Sequence, residues 1–110
     1  MIGDIMSRET IETPARLYEA VNDGTLTITT DIACLPAIQA QRVIQANFGD
    51  ANAAMAFADD MAPDWTWRIG YDNRAEMVRR VPINGQNEIV VISLSPAHAL
   101  LMATLQAWGT

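Results

Sequence analysis

The stretch that decides the fold is residues 65–108, WTWRIGYDNRAEMVRRVPINGQNEIVVISLSPAHALLMATLQAW. Apolar and polar residues alternate over residues 65–71, and this period of two predicts a half-buried strand. A second strand is predicted over residues 75–83, after an Asp-Asn pair that favours a turn.

A third strand is predicted over Asn87–Leu94, after an Asn84-Gly85 pair that is typical of tight hairpin turns. Its centre reads IVVI, and this unbroken apolar run predicts that both faces of the strand are covered. Three consecutive strands joined by short turns predict an antiparallel meander.

Four helices are predicted around this meander, from capping residues, from prolines in first turns and from terminating glycines. They cover Pro14–Asn22, Leu35–Phe48, Asp50–Ala62 (with Asp50 as N-cap) and Pro96–Trp108. The third is rich in alanine, whose small side chain permits close approach, so we expect it to lie tightly against a sheet. Residues 24–31, GTLTITTD, predict either a short strand or an extended loop.

This order of elements predicts the α+β class, a small three-stranded antiparallel meander with helices on one or both of its faces. A chain of 110 residues suits one domain. We therefore expect a flexible N-terminus over residues 1–12 and a single α+β domain over residues 13–110.

Composition excludes several kinds of chemistry. The net charge is −6, from thirteen carboxylates and seven arginines, and the chain has no lysine, which excludes lysine Schiff bases and the lysine-dependent phosphate loop. A single cysteine and a single histidine exclude a disulfide framework, a multi-thiolate zinc site and paired-histidine metal motifs. We expect no cofactor, no metal and no catalytic residues.

The sequence shows neither a signal peptide nor an apolar run of the roughly 18 residues that a membrane span requires. We therefore expect a cytoplasmic protein without membrane contact. The acidic charge also argues against nucleic acid as a partner, because nucleic-acid binding usually shows a basic patch.

Asp59, Asp60 and Asp64 form the densest acidic cluster. Paired carboxylates can hold a metal, so one alternative is a metal-dependent hydrolase or a small-ligand-binding domain. However, adjacent residues on a helix point about 100° apart, which favours a solvated helix end instead.

Four of the seven bases lie within thirteen residues: Arg68, Arg74, Arg79 and Arg80. They suggest an interaction face for an acidic protein surface, which includes the chain's own helices or a second copy of this chain. With Trp65 and Trp67 nearby, weak single-strand binding through the two tryptophans and Arg68 is another alternative. The tryptophans alternate away from Arg68, which favours core packing for them.

His98 and Cys34 are the remaining candidates for chemistry. His98 falls in the first turns of the last helix, outside any known nucleophile motif, and Cys34 has apolar neighbours. We expect both to be structural.

Two blocks of sequence resemble a known family. Residues 49–71, GDANAAMAFADDMAPDWTWRIGY, join an alanine-rich helix to a Trp-Thr-Trp strand, and residues 95–107, SPAHALLMATLQA, begin a closing helix. Together they resemble the phage α-β-α (ABA) sandwich domain family over residues 49–107, about half of the chain. The resemblance implies an α-β-α sandwich-like fold and a phage or prophage origin, and it carries over no activity or catalytic residue.

These observations predict a non-enzymatic phage or prophage accessory protein that works by protein–protein contact, with a protein partner or as a homo-oligomer.

Overall fold

The computed structural model describes residues 10–108. Within them, three consecutive strands form an antiparallel sheet in chain order beside four helices, so the predicted α+β class and meander are confirmed. The elements are β1 (Thr10–Ile11), α1 (Pro14–Asp23), β2 (Asp31–Ile32), α2 (Ala37–Asn47), α3 (Ala51–Met61), β3 (Trp65–Ile69), β4 (Arg74–Arg79), β5 (Glu88–Ile92) and α4 (Pro96–Trp108).

Helix α4 forms the centre of the molecule. All of its residues are buried except Pro96, Gln106 and Trp108, which are half-buried. It packs against the three strands of the sheet and also against α1, α2 and α3. A helix that is apolar on every side must be enclosed on every side, and the other elements provide that enclosure.

Local signals set the helix ends. The Thr13 hydroxyl accepts from the amide of Arg16, and Gly24 ends α1 in the left-handed region with φ of 75°. Asp50 caps α3 by accepting from the amide of Ala53. These caps confirm the predicted ends, because side-chain oxygens satisfy amides that have no partner within the helix.

The alanine-rich helix α3 packs mainly against α4 and α2, not against the sheet as we expected. Ala54 and Ala58 are fully buried in this packing. The physical reason is that α4 already occupies the covered side of the sheet, so the small side chains of α3 permit close approach to a helix instead.

Residues 24–30 form a loop, so of the two alternatives for this stretch the extended loop is confirmed and the short strand is wrong. The Thr30 hydroxyl accepts from the amide of Thr27 at 2.9 Å, and the Thr27 hydroxyl accepts from the amide of Thr29. These side-chain bonds replace a strand ladder. Only the two-residue β2 follows, pairing in parallel with β1.

The second predicted strand ends earlier than expected, at Arg79, and residues 80–87 form a longer loop instead of a tight turn. Pro82 cannot donate to a ladder, and the side chain of Asn87 bonds both the amide and the carbonyl of Ile83. The Asn87 side chain therefore takes over bonds that a strand partner would otherwise make.

The predicted flexible N-terminus divides into two parts. Residues 1–9 lie outside the described residues. Thr10 and Ile11 form β1, and Ile11 is fully buried. In the part of the chain from 10 to 108, no helix is both long and apolar enough to cross a membrane.

We expect Ala54→Leu to lower the free energy of unfolding by about 1–3 kcal/mol, because three extra carbons must be forced into a close helix–helix contact. Ala51→Leu, at an exposed position of the same helix, should change it by less than about 0.5 kcal/mol. Urea unfolding monitored by circular dichroism measures both. Equal effects of the two substitutions would contradict the close packing of α3.

Candidate interaction site on the open sheet face

The sheet presents two different faces, because successive side chains of a strand point to opposite sides. One face packs against α4 and carries the buried Trp65, Ala75, Met77 and Ile89. We call the other the open face, since no element within residues 10–108 covers it. Its members are Thr66, Arg68, Arg74, Glu76, Val78, Glu88, Val90 and Ile92.

Three aliphatic side chains of the open face reach solvent. Val78 and Val90 are each 44% exposed, and Ile92 is 65% exposed. The expectation that both faces of β5 are covered is therefore wrong: its run of apolar residues has cover on one face only. In register, each of the three lies opposite a charged residue of the neighbouring strand.

A fixed ion network lies among these aliphatic residues. The Glu76 carboxylate accepts from Arg68 at 2.7 Å and from the Nε of Arg74 at 2.8 Å. These two hydrogen bonds hold the pKa of Glu76 below its ordinary value, and Glu76 in turn raises the pKa of Arg68. With Glu88, the open face carries two positive and two negative charges, so its net charge is zero.

The four clustered arginines do not share one face. Arg68 and Arg74 lie on the open face, whereas Arg79 lies on the opposite side with its guanidinium 4.5 Å from the centre of the Trp65 ring. Arg80 follows the end of β4 and donates from Nε to the Pro63 carbonyl at 3.0 Å. Because successive side chains of a strand point to opposite sides, Arg74 and Arg79 of β4 lie on different faces of the sheet, and the predicted single arginine face is wrong.

The two tryptophans lie away from Arg68. Trp65 is 4% exposed, and the half-buried Trp67 donates from its indole nitrogen to Asp59 at 2.8 Å. Both side chains belong to the covered face of the sheet. Stacking of nucleic-acid bases requires an exposed ring beside a positive groove, an arrangement that these residues do not form.

Two carboxylates of the predicted acidic cluster, Asp59 and Asp60, bond to different elements of the fold. Asp59 accepts from Trp67 of β3, whereas Asp60 accepts from Gln39 and Arg42 of α2. The bonds from Gln39 and then Arg42 hold the pKa of Asp60 below its ordinary value.

The third carboxylate of the cluster, Asp64, lies exposed in the segment between α3 and β3. Among residues 10–108, no group of three or more His, Cys, Asp or Glu side chains is arranged to hold a metal ion.

His98 joins three elements. It is 4% exposed, and its Nε2 lies 3.2 Å from the carbonyl oxygen of Val21 at the end of α1. A carbonyl only accepts, so Nε2 carries the proton and Nδ1 accepts from the Ser93 hydroxyl at 2.6 Å. Burial lowers the pKa of His98, which keeps this neutral form.

The Ser93–His98 pair has the connectivity of a nucleophile and its base, and two neighbouring amides have acceptors of their own. The amide of Ser93 donates to the Asn73 carbonyl, and the amide of His98 donates to the Ser95 hydroxyl. Pro96 has no amide hydrogen. The two ring nitrogens of His98 thus link α4 to Ser93, which follows β5, and to Val21 of α1.

Cys34 is partly buried between β2 and α2. Burial raises the pKa of its thiol. A raised pKa reduces the thiolate fraction and therefore the reactivity of the sulfur.

A groove that the sequence did not reveal lies between α1 and the end of α4. Its walls include Tyr18, Glu19, Leu105 and Trp108, and Gln86 closes one side. Its aromatic residues are ninety positions apart, so no local pattern could bring them together. One of its lining residues, Gln86, also donates from its side chain to the Glu88 carbonyl of β5, so the groove lies next to that strand.

Searches of protein-family models, of curated proteins and of solved structures give no match to this chain.

We expect the free energy of unfolding to fall as pH is lowered from 7 towards 5. The pKa of His98 is lowered in the folded state, so the unfolded chain, with a pKa near ~6.5, binds the proton more readily. The slope from this group is at most about 1.4 kcal/mol per pH unit.

Urea unfolding at several pH values measures this dependence, with His98→Gln as the variant that cannot titrate. The variant should be less stable at pH 7 and should lack the slope between pH 7 and 5.5, where carboxylates stay ionised. An unchanged slope in the variant would contradict a depressed pKa at His98.

Proposed function

We propose that this protein is a non-enzymatic accessory protein of phage or prophage origin that acts in the cytoplasm through protein–protein contacts on the open face. The observation that carries the proposal is the group of exposed aliphatic side chains, Val78, Val90 and Ile92, on one face of a sheet. Adjoining exposed apolar residues typically mark a contact surface.

The charges of the open face support a protein as the partner. Arg68 and Arg74 are both bound to Glu76, so they do not form a basic patch for phosphates. Arginine beside apolar residues is common at protein interfaces. The network also fixes the arginine side chains before binding, which reduces the entropy that binding costs.

The proposed phage or prophage origin rests on the resemblance of residues 49–107 to the phage ABA sandwich domain family. The blocks that carry it lie at structural positions of this fold. Pro63 follows the end of α3, Trp65 begins β3, and Ser95 caps α4. The resemblance supports the proposed origin, whereas the open face supports the proposed mode of action.

A charge placed among the aliphatic side chains tests the proposal. We expect Val78→Lys to reduce retention of a partner from a phage-infected bacterial lysate by about tenfold or more, because a buried ammonium opposes desolvation of the interface. Ile28→Lys is the matched control, since Ile28 is also exposed but lies in the loop before β2. Immobilised chain and quantitative mass spectrometry measure retention.

Retention that is equal for Val78→Lys and the wild type would contradict the proposal, as would retention of no protein by either. The same preparations test the alternatives. A rise in melting temperature with Mg²⁺, Mn²⁺ or Ca²⁺ would favour the metal-dependent alternative. Quenching of tryptophan fluorescence by an oligonucleotide at low salt would favour the single-strand alternative.

A further inference from the structure

Among residues 10–108, β5 is an edge strand of the sheet. It bonds β4 on one side, and in the order β3-β4-β5 no described strand follows on the other. The amide of Ser93 donates to Asn73 and the amide of Arg79 to Asn87, so the odd-numbered residues of this segment direct their backbone groups towards β4. Residues 88, 90 and 92 therefore direct theirs outward.

This edge lacks the usual protection against pairing. Residues 88–92, EIVVI, contain no lysine and no proline, and their register with β4 runs without a bulge. A local competitor is the side-chain amide of Gln86, which donates to the outward carbonyl of Glu88 at 3.2 Å. A pairing strand would displace that amide and replace its bond.

We infer that β5 pairs with β5 of a second copy of this chain, antiparallel about a two-fold axis at Val90, and this inference rests on the proposed function as a contact-making protein. In that register Val90 lies opposite Val90 of the second copy, and Glu88 lies opposite Ile92. The Glu88–Ile92 pairing occurs twice, once on each side of the axis. All three pairs are hydrogen-bonded pairs, so every outward backbone group of residues 88, 90 and 92 gains a partner. Two three-stranded sheets become one of six strands.

The charges of the strand fit a second copy. The one charged residue of β5, Glu88, does not meet itself, because it faces Ile92 of the second copy. In the same cross-strand row, Arg74 lies on the other side of Ile92. The pairing thus places a carboxylate and a guanidinium of opposite copies in one row of the open face, where opposite charges favour association.

The same arrangement extends the apolar part of the open face across the axis. Val90 of each copy becomes a cross-strand neighbour of the other, and Ile92 and Val78 flank the pair. A symmetric dimer therefore presents one continuous face twice the size of that in a single chain. Self-association uses the backbone of β5 at the sheet edge, whereas the partner contact uses the side chains of the open face, and Val90 and Ile92 belong to both.

Substitutions of Val90 that place two like charges opposite each other at the two-fold axis test the inference. We expect the wild-type chain to sediment at twice its chain mass across the micromolar to millimolar range, and Val90→Lys and Val90→Glu each at the mass of one chain. An equimolar mixture of the two variants should recover the dimer, because the lysine of one chain then faces the glutamate of the other. Circular dichroism checks that each variant is folded.

Val78→Lys is the matched control. Val78 has the same exposed fraction as Val90 on the same face, but it lies on the central strand, so this variant should stay dimeric. A wild-type chain that is monomeric throughout would overturn the inference, as would dimers that persist in both Val90 variants or a mixture that stays monomeric. If the wild-type chain is monomeric but retains a partner, and Val78→Lys loses that partner, the proposed function is still supported.

Discussion

Helix α4 is mostly apolar and is buried around its whole circumference, and such a helix is stable in water only when it is enclosed. Its polar side chains are satisfied inside that enclosure. Thr104 donates to the Leu100 carbonyl at 2.8 Å, and His98 bonds both Ser93 and Val21. The positions of the other elements follow from this constraint, because three helices and a sheet must all contact a single helix of thirteen residues.

One consequence is that the sheet is covered on only one face. The helices within residues 10–108 gather around α4, and α4 lies on one side of the strands. The opposite side is left to its own side chains, so charged and aliphatic residues alternate there. Glu76 forms ion pairs with Arg68 and Arg74, so these charges have partners within the face. The aliphatic side chains beside them stay exposed to water.

Sequence patterns predicted what depends on neighbouring residues. The caps at Thr13, Asp50 and Ser95 and the alternation after Trp65 are local, and they placed the helices and the meander. Two failures, the loop before β2 and the loop after β4, come from local side-chain bonds that compete with a strand ladder, and the others depend on contacts distant in sequence. Nothing near β5 shows that only one helix covers it, so the IVVI run alone could not tell a strand covered on both faces from one at an open surface.

The candidate site was predictable only in part, for the same reason. Arg68 and Arg74 were predicted to belong to an interaction face. That they share Glu76 as a partner, and that Arg79 lies over the ring of Trp65 instead, depends on strand register. The separation of Asp59 from Asp60 likewise depends on Trp67 and Arg42, which belong to other elements. Side-chain partners of this kind decide whether clustered charges are free to bind.

The distribution of charge favours contact through this sheet over contact elsewhere. Of the thirteen carboxylates and seven arginines, two of each lie on the open face, so the rest of the chain carries the whole net charge of −6. Two such chains repel each other over a distance of about 10 Å at 0.1 M salt. Added salt shortens that range and leaves backbone pairing and apolar contact in place. Salt should therefore promote association of these chains, whereas it weakens every association that depends on phosphate contacts.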